Sequence, residues 1–309
     1  GNKLCLYEDR PAKWDAWDID IYYEQELLQE AQAITMEKIA CGEIRKGIEI
    51  EYKVGQSTII QKIFLYENSK QLDFETEVDW QENHKLLRTE FEVDVQSDTA
   101  LFEIQYGMVR RRTHRNTSED MAKFEVAGHR WADLSEADYG VALLNNCKYG
   151  YKVLGNEISL SLLRAPSVPD PKADRGKHTF IYSFLPHTGA FSVEKVHQPA
   201  VMLNQEALVF PGCKNDKFEI PYRIQEPEII IETIKRAEKE DAKIIRLYNN
   251  SEKRIKTTMP VEAAAREIFV TDLMENSLNK LEFKTGNIEL SFKGFEIKTL
   301  KVYIDKNQK

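Results

Sequence analysis

The chain has 309 residues, 42% of them hydrophobic and 30% charged, with a formal net charge of −8. That acidic balance excludes a nucleic-acid partner, because no basic excess exists to neutralise phosphates. No apolar run reaches the length of a membrane span, so no membrane partner is expected either.

The length allows one large β domain or two ordinary domains. The chain opens on Gly1 rather than Met, which reads as an added leading residue or an internal start, so a fragment of a longer protein is expected. Cys5, Cys41, Cys147 and Cys213 are far apart and form no CxxC pair. They read as reduced thiols of a cytoplasmic protein, with neither a zinc ribbon nor a disulfide framework.

The first notable stretch is Tyr7–Tyr23, YEDRPAKWDAWDIDIYY, which holds Trp14 and Trp17 among Glu8, Asp9, Asp15, Asp18 and Asp20. Indole faces stack on apolar faces, and carboxylates accept hydrogen bonds from hydroxyls, which is how sugars are gripped. An amphipathic edge strand whose tryptophans pack on a core is the other reading. Gln25–Ala33 has a helical look. Ile44–Val54, Thr58–Tyr66 and Leu72–Trp80 read as strands, with turns at Gly55-Gln56 and Glu67–Lys70. In Leu87–Val95, Leu87, Thr89, Phe91, Val93 and Val95 face one way, while Arg88, Glu90, Glu92 and Asp94 face the other. Phe102, Ile104, Tyr106 and Met108 repeat the pattern. Charged-out, apolar-in strands indicate an antiparallel sheet with one solvated face.

From Thr113 to Gly189 the pattern is less regular and richer in polar motifs. Thr113-His114-Arg115-Asn116-Thr117 offers fixed donors, suited to hydroxyl recognition or to a buried polar network. His129–Ser135 reads either as a corner held by an Arg130–Asp133 pair or as a sugar contact. Asn145–Tyr151 suggests a tight turn, with Cys147 a buried, inert thiol. Ile158–Leu163 and His178–Leu185 have strand character, and His178 and His187 could meet across a strand and turn. Between the two strand segments, Pro166, Pro169 and Pro171 demand an extended loop that ends in Asp174-Arg175-Gly176. Gly176 permits positive φ, and Arg175 is then a rigidly presented planar donor.

Pro211–Asp216 reads as a linker. Six regularly spaced strands follow, Ile229–Ile234, Ala242–Tyr248, Ile268–Leu273, Leu281–Phe283, Ile288–Phe292 and Ile297–Ile304, as a second, smaller β-sandwich. Lys235–Lys243 reads as a solvated hairpin tip, and Pro260–Ala265 has a helical look. All six histidines precede position 198, which places ligand contacts in the first domain. No HExxH, HxxxH, CxxC, GxSxG, P-loop or GxGxxG motif is present.

Five segments in one order carry a resemblance: EDRPAKWDAWDIDIYY, THRNTSEDMAKFEV, HRWADLSEADYGVALLNNCKYGY, LSLLRAPSVPDPKADRGKHTFIY and LPHTG. Together they resemble the C-terminal β region of glycoside hydrolase family 38 α-mannosidases, closest to the bacterial and cytosolic-type branch. The resemblance runs from Tyr7 to about Gly189, and the tail resembles the family's final β-sandwich.

The resemblance implies an all-β fold, with a large galactose-mutarotase-like supersandwich over residues 1–212 and a smaller β-sandwich over 213–309. It implies a retaining mechanism in which the carboxylate nucleophile and a zinc ion belong to an N-terminal barrel that precedes this region. This chain then holds neither, has no cofactor of its own, and packs on the barrel and a helical region. The loop matching Asp174-Arg175-Gly176 lies on the leaving-sugar side of the family's cleft, which makes Arg175 the first candidate contact with α-mannoside glycans. His114, Arg115 and Asn116 match a family motif, and Trp14, Trp17 and Asp18 are further candidates at the cleft or at the inter-domain seam. The family often carries Trp where this chain has Glu119, which puts a stacking role there in doubt. A free-standing aldose epimerase, with His114 or His178 as acid or base, and a carbohydrate-binding module are the competing readings.

Overall fold

The computed structural model describes residues 1–205, 207–209, 211, 222–283 and 286–305. Residues 212–221, which hold the expected domain boundary, most of the expected linker and Cys213, lie outside the described residues. The chain divides into two compact units. One is Gly1–Ile104 with Val109–Glu206; the other is Gln105–Met108 with Ala207–Lys309.

The first unit is a large sandwich of two antiparallel sheets. The smaller sheet sets six strands side by side: Val126–Ala127, Gly150–Leu154, Glu157–Arg164, Lys85–Glu92, Lys3–Glu8 and Leu27–Glu30. The larger runs from Gln32–Ile39 through Arg45–Val54, Ser57–Tyr66, Leu72–Trp80, Gly176–Thr188, Tyr139–Asn145, Trp131–Ser135 and Thr99–Ile104 to Gly107–Arg112, a strand that belongs to this unit from Val109 onward. Side chains alternate across a strand, so Leu72–Trp80 sends Phe74, Thr76, Val78 and Trp80 inward, all buried. Glu157–Arg164 answers from the other sheet with Ile158, Leu160 and Leu162. Phe74 stacks on Tyr182 at 4.9 Å, and Phe91 on Phe184 at 4.8 Å. Each such buried side chain contributes about 1.5–3 kcal/mol.

The second unit is a smaller sandwich. Its five-stranded sheet orders Ile229–Arg236, Lys243–Asn249, Ile297–Ile304, Ala265–Thr271 and Ser277–Leu281, and Ile255–Pro260 pairs with Asn287–Phe292 in a second sheet. Ile245, Leu247, Met259, Ile268, Ile288, Leu300 and Val302 form its core. The Lys235–Lys243 run is a hairpin tip, as expected, with Lys235 paired to Glu275 at 2.8 Å.

Local readings fail where tertiary partners decide. Gln25–Ala33 is not helical. Its Ala, Leu and Glu favour helix, but Leu27–Glu30 pairs with Cys5–Tyr7, and Gln32–Ile39 pairs with Arg45–Val54. Pro260–Ala265 is the end of one strand, a turn and the start of the next. Tyr106 sits at φ 56° in a hairpin turn, which ends the Phe102–Met108 alternation at Ile104. The Leu281–Phe283 strand is instead Ser277–Leu281, and Thr113–Gly189 holds six strands separated by loops. A helical turn at Val193–His197 running into Gln198–Asn204 has no counterpart among the expected elements. Ser192 caps it by accepting from the Lys195 N–H at 3.2 Å, and its apolar face covers the larger sheet through Val193, Val196 and Ala200.

The most consequential difference concerns Arg88. Alternation places it on the side away from the core, as expected, but that side is not solvated. Cys5, Tyr7, Tyr23 and Leu86 form a second apolar cluster there, with Ile19 and Phe124 against it. Arg88 is fully buried beneath this cover, donating to Ser159 Oγ and Ser161 Oγ at 2.8 Å each and pairing with Glu125. Tyr23 and Tyr7 hydroxyls donate to Glu125 and Glu90 at 2.9 and 2.7 Å. Truncating one member of a buried ion pair leaves the other charge without compensation and costs about 3–5 kcal/mol. Arg88→Ala should therefore lower the urea unfolding free energy by that amount. The double change Arg88→Met with Glu125→Gln should recover most of it. An Arg88→Ala loss under about 1 kcal/mol would mean that water reaches this face.

Candidate functional site

The Tyr7–Tyr23 stretch begins as strand and continues as a loop into a short 3-10 turn, Ile21–Gln25. It is not an edge strand, because its carboxylates tie the backbone into another shape. Arg164 Nε donates to the buried Asp9 carboxylate at 2.6 Å, and Arg164 Nη2 donates to the carbonyl of Asp18 at 2.7 Å. Asp15 Oδ2 accepts from the N–H groups of Ser167 and Val168 at 2.6 and 3.1 Å. Asp20 Oδ2 accepts from the Ala12 N–H at 2.7 Å.

With the chain held this way, Trp14 takes φ 53°, and its carbonyl accepts from the N–H groups of Trp17 and Asp18, both at 2.8 Å. The two indoles meet edge to face at 6.4 Å and are 66% and 69% exposed. The packed-tryptophan reading is therefore corrected: Asp9 is a buried fastener, Asp15 and Asp20 are half-buried ones, and the rings stand in solvent. Tyr22 is also exposed. The Asp18 carboxylate has no hydrogen bond among the described residues, so of the loop's acids it remains open to a hydroxyl.

Asp15 reaches across to the proline-rich loop, so the two segments share one end of the first unit. That loop is built from its own backbone. Asp170 Oδ1 accepts from the Lys172 N–H at 2.8 Å, and the Arg175 N–H donates to the Lys172 carbonyl at 3.1 Å. Asp174 is left-handed at φ 60° and Gly176 at φ 129°. The space around Gly176 is open, so backbone conformation, not crowding, calls for glycine. His178 Nε2 meets the Asp174 carbonyl at 2.6 Å. Arg175 is exposed, and its guanidinium has no partner among the described residues. The turn fixes where it starts, while the side chain itself is unrestrained, which corrects the expectation of a rigid donor.

Arg115 is tied down. It makes a two-pronged pair with Glu24 at 2.6 Å on each arm, which joins the Thr113–Thr117 segment to the end of the tryptophan loop. This is the polar-network reading of that motif. His114 Nδ1 lies 3.8 Å from Asp120 Oδ2, and Asn116 is exposed before Thr117, the cap of the Ser118–Ala122 turn.

Other expected pairings form differently. Arg130 pairs with Glu103 and not with Asp133, because Glu103 lies on the neighbouring strand of the same sheet. Asp133 instead bonds His187 at 2.7 Å and Ser135 Oγ at 2.6 Å, all on the covered outer side of the larger sheet. His178 and His187 lie on one strand, Gly176–Thr188, so they sit about 30 Å apart along the strand and do not meet. Cys147 is exposed, not buried. His197 is pushed down to about 4 by burial, against the pull of Glu103, and stays neutral. Its Nδ1 then accepts from the Trp131 indole N–H at 3.3 Å. Among the described residues no three His, Cys, Asp or Glu side chains are grouped to hold a metal ion. Sequence reasoning missed Arg164, which ties the tryptophan loop to the strand end that leads into the proline-rich loop. An arginine ending an apolar strand just before Ala165-Pro166 was the available signal.

Comparison with known proteins decides the relationship. Residues 1–172 match the family model described as Glycosyl hydrolases family 38 C-terminal domain, and residues 228–300 match the Glycosyl hydrolases family 38 C-terminal beta sandwich domain. The chain belongs to glycosyl hydrolase family 38. It is 38% identical to Alpha-mannosidase 2C1 of Mus musculus, over 97% of this chain and 30% of that protein. It is 40% identical to Alpha-mannosidase G of Dictyostelium discoideum, over 81% of this chain and 24% of that protein. The chain thus spans about a third or less of the length of these family 38 relatives. The solved structure of an alpha-mannosidase from Enterococcus faecalis V583 shares the fold with a TM-score of 0.74 at 16% identity, covering 98% of this chain and 38% of that one.

The Arg115–Glu24 pair carries a pH signature. Burial alone would raise the Glu24 carboxyl, but the Arg115 hydrogen bond and the charge of Lys152 outweigh it and hold it below the usual 4.5. A carboxylate depressed in the folded state stabilises above its unfolded value, and that contribution is lost as pH falls through the folded value. Glu24→Gln should therefore unfold at lower urea than the parent at about pH 6, with the gap closing below about pH 4. A gap that is the same at both pH values would show that the pair contributes nothing through its charge.

Proposed function

We propose that the chain is the C-terminal β region of a retaining α-mannosidase acting on mannose-containing oligosaccharides. In this reading it forms the leaving-sugar side of the cleft and supports a catalytic barrel that lies outside the chain. One observation carries the reading: the Asp15 carboxylate, bonded to Ser167 and Val168, sets the exposed indoles of Trp14 and Trp17 at the same end of the fold as the Asp174-Arg175-Gly176 turn. That combination suits a sugar. Indole faces stack on the C–H face of a pyranose, while Arg175 and Asp18 donate to and accept from its hydroxyls. Trp14 and Trp17 are equally suited to the seam with the barrel.

Retaining hydrolysis needs a carboxylate pair about 5–5.5 Å apart around the scissile bond, and in this reading the barrel supplies it together with the zinc ion that binds sugar hydroxyls. The cytoplasm is the proposed location. An aldose epimerase is less well supported. Of its candidates, His178 is engaged with the Asp174 carbonyl and His114 lies 3.8 Å from Asp120, while the shortest histidine–carboxylate contact among the described residues, His187 with Asp133 at 2.7 Å, is buried.

A charge-assisted hydrogen bond is worth about 1.5–3 kcal/mol, so Arg175→Ala in the whole enzyme should lower kcat/KM on a mannose disaccharide about tenfold or more. Hydrolysis of an aryl α-mannoside, which has no second sugar, should fall far less. Equal losses on both substrates would make Arg175 a structural residue. The isolated 309-residue chain should hydrolyse neither substrate and should bind no stoichiometric zinc in equilibrium dialysis. Turnover by the purified chain would refute its assignment as a non-catalytic region.

A further inference from the structure

The larger sheet of the first unit is wider than the sheet facing it, and one corner of its core side is left bare. Met36 lies opposite Ile50, and Ile50 opposite Gln61. Ile48 lies opposite Ile63, Ile63 opposite Phe74, and Leu65 opposite Leu72. Directly opposed residues share a face, so all of these point the way Phe74 points, into the core. Yet Met36 is 64% exposed and Leu65 43%. An open groove of about 770 Å³ runs along Ile48, Ile63, Leu65 and Leu72, with Lys38 and Lys46 at its rim. A contiguous apolar surface of this kind marks a contact site.

The first two residues indicate what covers it. The Asn2 side chain is fixed within this face, donating to Gln61 Oε1 at 2.7 Å and accepting from Tyr182 Oη and Thr89 Oγ1 at 2.6 and 3.0 Å. Gly1 lies against the Phe91 ring, and Phe91 stacks on Phe184, the strand partner of Leu72 in the groove wall. Any polypeptide joined to the amino side of Gly1 therefore leaves beside the groove. Both matched family models are C-terminal regions, and the mouse relative is more than three times as long as its match to this chain.

We propose that the polypeptide preceding residue 1 in the whole protein packs an apolar segment into this groove and completes the core side of the larger sheet. The proposal rests on reading the chain as the C-terminal part of a longer enzyme. It concerns a different surface from Trp14 and Trp17.

Photo-cross-linking in the whole protein tests it. p-Benzoylphenylalanine replaces Met36 in one variant and Leu65 in another, two exposed positions, so that loss of one variant leaves the second. Irradiation should give an internal cross-link at unchanged monomer mass, mapped by mass spectrometry to residues preceding Gly1. Products at twice the monomer mass would assign the groove to a second copy and overturn the proposal, as would no protein cross-link from either variant. Hydrolysis of an aryl α-mannoside by the unsubstituted protein separates the two ideas. An active enzyme with no internal cross-link overturns only the groove's occupant, whereas an inactive one overturns the functional reading.

Discussion

A guanidinium with no access to water is the constraint around which the first unit is arranged. Arg88 sits in the middle of the six-stranded sheet, on the side away from the main core, and a buried charge survives only when paired and hydrogen-bonded. Its compensation comes from Ser159 and Ser161 on one neighbouring strand and from Glu125 above. The roof that excludes water is Tyr23 with Ile19 and Phe124, so the opening loop has to fold back over the sheet. Once Tyr23 is seated, Glu24 is positioned for Arg115, and the polar motif Thr113–Thr117 is fixed in turn. One buried cation thus sets the path of two segments that are distant in sequence.

The same loop separates two jobs that its composition had merged. Asp9, Asp15 and Asp20 spend their oxygens on Arg164 and on backbone N–H groups, which pre-organises the backbone. Trp14 and Trp17 take no part in that fastening and remain available to a partner. Pre-organised backbone with free side chains reduces the ordering cost of binding, whether the partner is a sugar or another part of the same protein.

Much of the architecture was legible in alternation. Leu72–Trp80 matches its strand end for end, and a large sandwich with a smaller one after it follows from strand spacing. The five ordered motifs pointed to the family. Illegible were properties that belong to pairs. Nothing in the order of residues says that Arg130 chooses Glu103, that Asp133 chooses His187, or that Arg88 lies under a second layer, because each partner is brought in by sheet topology. Gln25–Ala33 failed for the same reason, its helix preference being worth less than the strand pairings on either side. At the candidate site, sequence singled out Arg175, Trp14 and Trp17 but left the tryptophans between a packed and an exposed setting, and it assigned to Asp15 and Arg164 none of the work that holds these segments in place.

The turn at Asp174-Arg175-Gly176 is held by Asp170, by a left-handed Asp174 and by a glycine, and position 175 gives only its N–H to that scaffold. Exposed substitutions without structural partners usually change stability by no more than about 0.5 kcal/mol. The side chain at position 175 can therefore be exchanged with little effect on folding, while positions 170, 174 and 176 carry the shape of the turn.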